Sequence, residues 1–224
     1  EIWKAILENK ELIKNENLKD LEKMDNNDPM YDRLLLSDSR IESMARWCED
    51  LISIKDPLDK FENDNEIITK DWLTIKKIWV PLWVVACIYE SRPNVTIDLI
   101  IMCIKSGNAV ILRWWTQAQN SNEILVKIVK EVLKNNHVDE NIVYNYPLQR
   151  EFLVDDIIPR WWKELIETVR KKSLIPVIET WAWVVHLYLD SDINKENISK
   201  SINIIINAKT SRPSVCNALD TLII

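Results

Sequence analysis

The sequence predicts an α/β fold built on a parallel sheet, and three observations carry that reading. Short apolar runs at 84–90, 109–113 and 142–146 alternate with stretches of helical spacing at 93–105 and 121–135. Strands alternating with helices form a parallel sheet with helices on both faces. The run at 84–90 is continuously apolar, as a buried strand is, rather than alternating. Finally, 224 residues with 47% apolar content are enough for one large domain or two small ones with a real core.

Element by element, residues 1–55 read as helices. Ile6, Leu7, Leu12, Ile13, Leu18 and Leu21 recur at helical spacing, as do Ile41, Met44, Ala45, Cys48 and Leu51. Residues 55–71 are polar and turn-rich. The strand at 84–90 leads to a helix over 93–105, where Pro93 suits a first turn. A second strand covers 109–113. The helix at 121–135 carries Ile124, Leu125, Ile128, Val129, Val132 and Leu133 on one face, with Ser121 as its expected N-cap. Strands are then expected at 142–146, 156–159 and 175–179, with a helix over 163–171. After 185–190 comes a helix over 195–208.

Charge and cysteine usage narrow the function. Lys plus Arg is 29 and Asp plus Glu is 35, for a net charge of -6. That balance offers no electrostatic footprint for a nucleic acid or an anionic membrane. The longest uncharged apolar run, 78–89, is too short to span a bilayer. No signal peptide is evident, and a reduced, cytoplasmic protein is expected. Cys48, Cys87, Cys103 and Cys216 are widely spaced, and His137 and His186 are the only histidines. No disulfide framework and no metal site are expected from that set. His186, between valines and a leucine, is expected to be a core histidine.

One composition figure is abnormal. At a usual glycine content of about 7%, a chain of this length holds roughly 16 glycines. This one holds a single glycine, Gly107, and eleven tryptophans. Ligands of an open parallel sheet bind beyond the carboxyl ends of its strands. The segments there are 90–94, 113–116, 159–163 and 179–183, and three of the four contain tryptophan. Glycine is the residue expected where backbone must approach a phosphate.

Several ordered stretches resemble the gamma-glutamyl phosphate reductase (glutamate-5-semialdehyde dehydrogenase) family of the aldehyde dehydrogenase superfamily. They read VVACIYESRPNVT at 84–96, KSGNAVILR at 105–113, Ser-Asn at 121–122, IPR at 158–160, PVIETWAWVVHLYLD at 176–190 and NAKTSRPSVCNALDTL at 207–222. The resemblance implies an aldehyde dehydrogenase-like α/β fold. A Rossmann-type cofactor domain with N-terminal helices would span 1–180, and the beginning of an α/β catalytic domain, truncated here, would span 181–224. It implies NADPH-dependent reduction of L-glutamyl 5-phosphate to glutamate 5-semialdehyde, with release of phosphate, in proline biosynthesis. The family continues well beyond Ile224, so the chain reads as a fragment that is inactive alone and homo-oligomeric at full length. Glutamate 5-kinase is a possible partner. Two alternatives remain: a non-catalytic relative with the same fold, and the reductase half of a fused pyrroline-carboxylate synthase.

The same resemblance assigns residues. Cys216 is the implied nucleophile, forming a thioester that hydride can reduce. Asn94 would hold the oxyanion together with the Cys216 N–H. Arg212 and Asn217 flank the nucleophile and are implied to contact substrate. Arg113, Trp114, Trp115 and Thr116 form the implied adenosine loop. No acid lies between Arg113 and Glu123, so a 2′-phosphate meets no like charge, which points to NADPH. Pro159, Arg160, Trp161 and Trp162 open the helix implied to face the pyrophosphate. Glu179 stands where hydrolytic members activate water, a step that an acyl-phosphate reductase does not need, and is expected to be structural.

The family has glycine where this chain has Trp47, Trp72, Trp83, Trp114, Trp115, Trp161, Trp162, Trp181 and Trp183, and often at Trp79; Trp3 has no such match. One glycine plus eleven tryptophans makes twelve, close to an ordinary glycine count. The expectation is a decoding mismatch, in which UGA is read as glycine in the cell and as tryptophan in this translation. The chain is also shorter than the family between 150 and 155, by most of a crossover helix, and has Asp220 where the family favours Glu.

Overall fold

The structure is a computed structural model, and it describes all residues except 26–27, 59–65, 69–72, 77, 91, 146–153, 161–162, 180–183, 212, 214 and 216. It opens with helices α1 (Ile2–Glu8), α2 (Lys10–Leu21), α3 (Pro29–Leu34) and α4 (Asp38–Ser53). In α4 the Ser37 side chain caps the Arg40 N–H, and Ile41, Met44, Ala45, Cys48 and Leu51 are buried as one stripe, as their spacing predicts. The stripe expected in α1 and α2 is only half correct. Ile6, Ile13 and Leu21 are buried, whereas Leu7, Leu12 and Leu18 are exposed. Two inward positions of α2 are polar, Asn17 and Asp20, so apolar spacing alone misplaces the inner face.

A short antiparallel pair, β1 (Glu66–Ile68) and β2 (Thr74–Lys76), follows. The main sheet contains β3 (Val84–Tyr89), β4 (Ala109–Arg113), β5 (Val143–Asn145) and β6 (Asp156–Arg160). Its order is β5-β4-β3-β6 and every pairing is parallel. Helix α5 (Pro93–Lys105) packs on β3 and β4, α6 (Gln119–Asn135) on β5, and α7 (Lys163–Lys172) on β6. The predicted α/β class and parallel sheet are therefore present. Coverage of the two faces is unequal, however. Val85, Cys87 and Tyr89 of β3 are buried, while Val84, Ala86 and Ile88 are half-buried.

The N-terminus of α6 differs from expectation. The helix begins at Gln119, and Ser121 lies inside it, fully buried. Its cap comes from α2. The Asp20 carboxylate, itself buried, accepts from the Ser121 N–H at 2.8 Å, the Asn120 N–H at 3.2 Å and the Ser121 hydroxyl at 2.7 Å. A carboxylate suits a helix N-terminus because it meets free N–H groups and the positive end of the dipole. Asn17 completes the junction: it donates to the Leu34 carbonyl at 2.9 Å and accepts from the Leu36 N–H at 2.8 Å.

Three further expectations are corrected. Residues 175–179 form no strand, only a single parallel bridge between Ile157 and Val177. Pro176 supplies a carbonyl there, to the Ile157 N–H at 3.0 Å, but has no N–H to extend a ladder. His186 is exposed rather than in the core. It opens β7 (His186–Tyr188), which pairs in parallel with β8 (Thr221–Ile223) across helix α8 (Lys195–Thr210). That pair is a sheet separate from the first, and β8 lies where no strand was expected. Among the described residues no helix is long and apolar enough to cross a membrane.

Candidate active site

Chain order along the main sheet reverses between β3 and β6. From β3 the chain runs through α5 to β4 and through α6 to β5, then returns to the far side of β3 as β6. A crevice at the carboxyl ends of strands forms at such a reversal.

The register states which residues stand there. Arg113 is level with Ile88, and Arg160 is level with Tyr89, on opposite sides of β3. Both arginines are exposed. With strands ~4.8 Å apart, their backbones lie roughly 10 Å from each other across the crevice mouth. Two guanidinium groups so placed can grip phosphate or carboxylate oxygens. Pro159, one residue earlier, is buried.

Past β4, Trp114 is half-buried and packs against the core. Its ring lies 6.4 Å from that of Tyr89, and its Nε1–H donates to Gln119 Oε1 at 3.2 Å. Trp115 is 48% exposed. Thr116, exposed, begins a 3-10 turn, Thr116–Ala118.

Asn94 is the second residue of α5 and is half-buried. Its helix turn is held by a buried chain of hydroxyls. Tyr89 and Thr96 share a hydrogen bond of 2.7 Å, and the Thr96 hydroxyl donates to Asn122 Oδ1 at 2.7 Å. Thr96 has one hydrogen, so Tyr89 must be the donor to it. Burial pushes the Tyr89 phenol well above its usual range, which keeps that proton in place.

Two residues here escaped the sequence reading. Arg33 of α3 reaches Glu90, just past β3, with Nη1 2.6 Å from Oε2, which ties the N-terminal helices to the crevice. Asp98 lies one helical turn beyond Asn94, and burial pushes its carboxyl up to about 6, against the opposing pull of Arg160 and Arg92. The available signal was a lone acid in the apolar helix PNVTIDLIIMCIK.

Asn217 is exposed on the turn that follows α8. Arg212, Cys216, Trp161 and Trp162 lie outside the described residues. Cys48, Cys87 and Cys103 are free and buried. Glu179 is exposed and pairs loosely with Arg170 at 3.8 Å.

A parallel sheet with this order and these helices is a doubly wound α/β fold, and its likeness to known structures is to the aldehyde dehydrogenase-like class. The fold matches an acetylating aldehyde dehydrogenase from Geobacillus thermoglucosidasius with a TM-score of 0.70 at 15% identity, over 99% of this chain and 48% of that one. Within that class the chain is homologous to gamma-glutamyl phosphate reductases. It is 47% identical over 223 residues to the one from Legionella pneumophila (strain Paris), covering 96% of this chain and 52% of the relative. It is 44% identical over 225 residues to that of Chlorobium phaeobacteroides (strain BS1), covering 96% of this chain and 53% of the relative. The crystal structure of the Thermotoga maritima gamma-glutamyl phosphate reductase superposes with a TM-score of 0.78 at 33% identity, over 99% of this chain and 55% of that one. The chain thus spans about half the length of the relatives it matches. No protein-family model matches it.

Proposed function

We propose that this chain is the cofactor-binding part, with the nucleophile segment, of an enzyme that reduces L-glutamyl 5-phosphate to L-glutamate 5-semialdehyde in proline biosynthesis. The observation that supports this most is the 47% identity over 223 residues to a gamma-glutamyl phosphate reductase. Residues 1–180 would form the cofactor unit and 181–224 the start of the catalytic unit.

The crevice residues fit a phosphorylated dinucleotide. Arg113 and Arg160 supply positive charge on either side of β3. NADPH bound there would supply the hydride. Arg113 and Thr116 would bind the adenosine ribose, with Trp114 and Trp115 between them. Arg160, behind the buried Pro159 and ahead of Trp161 and Trp162, would hold the pyrophosphate.

The Cys216 thiolate attacks the acyl phosphate, a carbon–sulfur bond forms, and phosphate leaves with its bonding electrons. Phosphate is a good leaving group, so no water-activating base is needed and Glu179 has no proton to move. Asn94 donates to the carbonyl oxygen as it becomes negative. Arg212 and Asn217 hold the substrate beside the thiol. Hydride from the bound nucleotide would add to the thioester carbonyl carbon. The resulting thiohemiacetal anion would collapse with cleavage of the carbon–sulfur bond, regenerating the Cys216 thiolate and releasing the aldehyde.

The test uses the full-length enzyme in the reverse, phosphate-dependent direction. Cys216→Ala is expected to abolish turnover, and Asn94→Ala to lower kcat by about 10²–10³-fold. Full oxidation without inorganic phosphate, or substantial activity in Cys216→Ala, would refute the mechanism.

A further inference from the structure

We infer that the tryptophans of this chain are glycines in the protein its cell makes, and that position 83 is where the backbone demands it. Trp83 has φ 76°, inside the left-handed region and close to the φ of 73° at Gly107, the single glycine. A bulky side chain at such a φ is a genuine outlier, whereas glycine adopts it freely. The conformation is held from one side, by two bonds to the start of β4. The Trp83 N–H donates to Asn108 Oδ1 at 2.9 Å, and its carbonyl accepts from the Ala109 N–H at 2.7 Å. These two bonds set the start of β3 beside β4. The indole gains nothing in return, since it is 66% exposed.

Other tryptophans lie where this residue type is rarely placed. Trp is highly buried on average, yet Trp79 is 67%, Trp115 48% and Trp47 39% exposed. Trp114 and Trp115 immediately follow β4, at the carboxyl end of the sheet where a ligand needs close access to the backbone. One cause covers the glycine deficit, the tryptophan excess, the left-handed φ and the exposed indoles. These codons are UGA, read by a glycine-accepting tRNA whose anticodon pairs with it. The inference does not depend on the reductase reading, because it concerns which side chains are present.

Peptide mass spectrometry of the protein purified from its own cells decides the matter. Glycine is expected at 83, 114 and 115; tryptophan at any of the three overturns the inference. A second measurement tests the backbone argument alone, by thermal unfolding of Trp83→Gly in the full chain. Relief of the left-handed strain is expected to raise Tm by about 2–4 °C, despite the entropy glycine adds to the unfolded state. A Tm lowered by the substitution would show that the indole is wanted there.

Discussion

The Thr96 hydroxyl, fully buried, donates to Asn122 Oδ1 at 2.7 Å and so joins the first turn of α5 to the first turn of α6. It also accepts the Tyr89 proton, so one hydroxyl links a strand end and two helix starts. Thr96→Val keeps the shape and removes the link, leaving the Tyr89 hydroxyl and Asn122 Oδ1 buried without this partner. Loss of about 1–3 kcal/mol is expected in denaturant unfolding, with Thr96→Ser close to wild type. If Thr96→Val matches wild type in stability, the chain of hydroxyls does not hold the junction.

Asp98 sets a pH dependence. Its carboxyl is raised from an ordinary 3.8 to about 6 by burial. A raised pKa in the folded state favours the protonated form. The stability it contributes is present below about pH 4 and is lost as pH rises through about 6. Asp98→Asn removes that loss. The variant should match wild type near pH 4 and exceed it above pH 6 by about 1–3 kcal/mol. Thermal unfolding across pH 4–8 reads the difference, and parallel curves would contradict it.

The described thiols should be inert. Cys48 is pushed up to about 12, chiefly by burial. Cys87 is pushed up by its hydrogen bond with Cys103 and by burial. The same hydrogen bond pulls Cys103 down against burial, but at 6% exposure its sulfur is out of a reagent's reach. The thiolate is the reactive form. Brief alkylation of the native protein at pH 7.5 (~10 equivalents of iodoacetamide), followed by peptide mapping, should leave all three unmodified and label Cys216 alone. Labelling of Cys87 before Cys216 would argue against the nucleophile assignment.

Arg33 and Glu90 form the tie between the N-terminal helices and the crevice. Both side chains are mostly shielded, at 15% and 20% exposure. Removing one charge strands the other in a poorly solvated place. Arg33→Met should therefore lower stability by about 1–3 kcal/mol, and the double variant with Glu90→Gln should recover part of it. No recovery in that cycle would mean that the two residues are not coupled.

The proposed NADPH preference, which rests on the loop after β4, can be tested directly. With no carboxylate between Arg113 and Glu123, kcat/KM of the full-length enzyme should be higher with NADPH than with NADH. Introducing an acid by Thr116→Glu should reverse or erase that preference by charge repulsion. Equal efficiency with the two nucleotides in wild type would refute the reading.

The central elements were legible because their signals are local. The run VVACIY makes β3, the spacing of Val95, Leu99 and Cys103 makes the inner side of α5, and both observed ranges agree with expectation. The strand ends and the proline-led helix start that carry Arg113, Arg160 and Asn94 are visible in sequence, while the roles given to those residues come from the family resemblance. What escaped depends on distant partners. Nothing near Ser121 says that its cap is Asp20, and nothing near Glu90 says that Arg33 arrives from α3. Residues 175–179 look like a strand locally but form only a single parallel bridge with β6. His186 sits in an apolar neighbourhood of sequence, yet in a two-stranded sheet it points outward.

The cap that Asp20 places on α6 bears on the order in which the molecule assembles. The two partners are 101 residues apart in sequence. During synthesis α2 emerges long before the helix it completes, and its buried carboxylate must stay solvated until then. Contacts of such separation carry a large loop-closure cost and slow folding. If docking of α2 on α6 comes after the rate-limiting step, Asp20→Ala should speed unfolding more than it slows folding; a change confined to the folding rate would place the docking before that step.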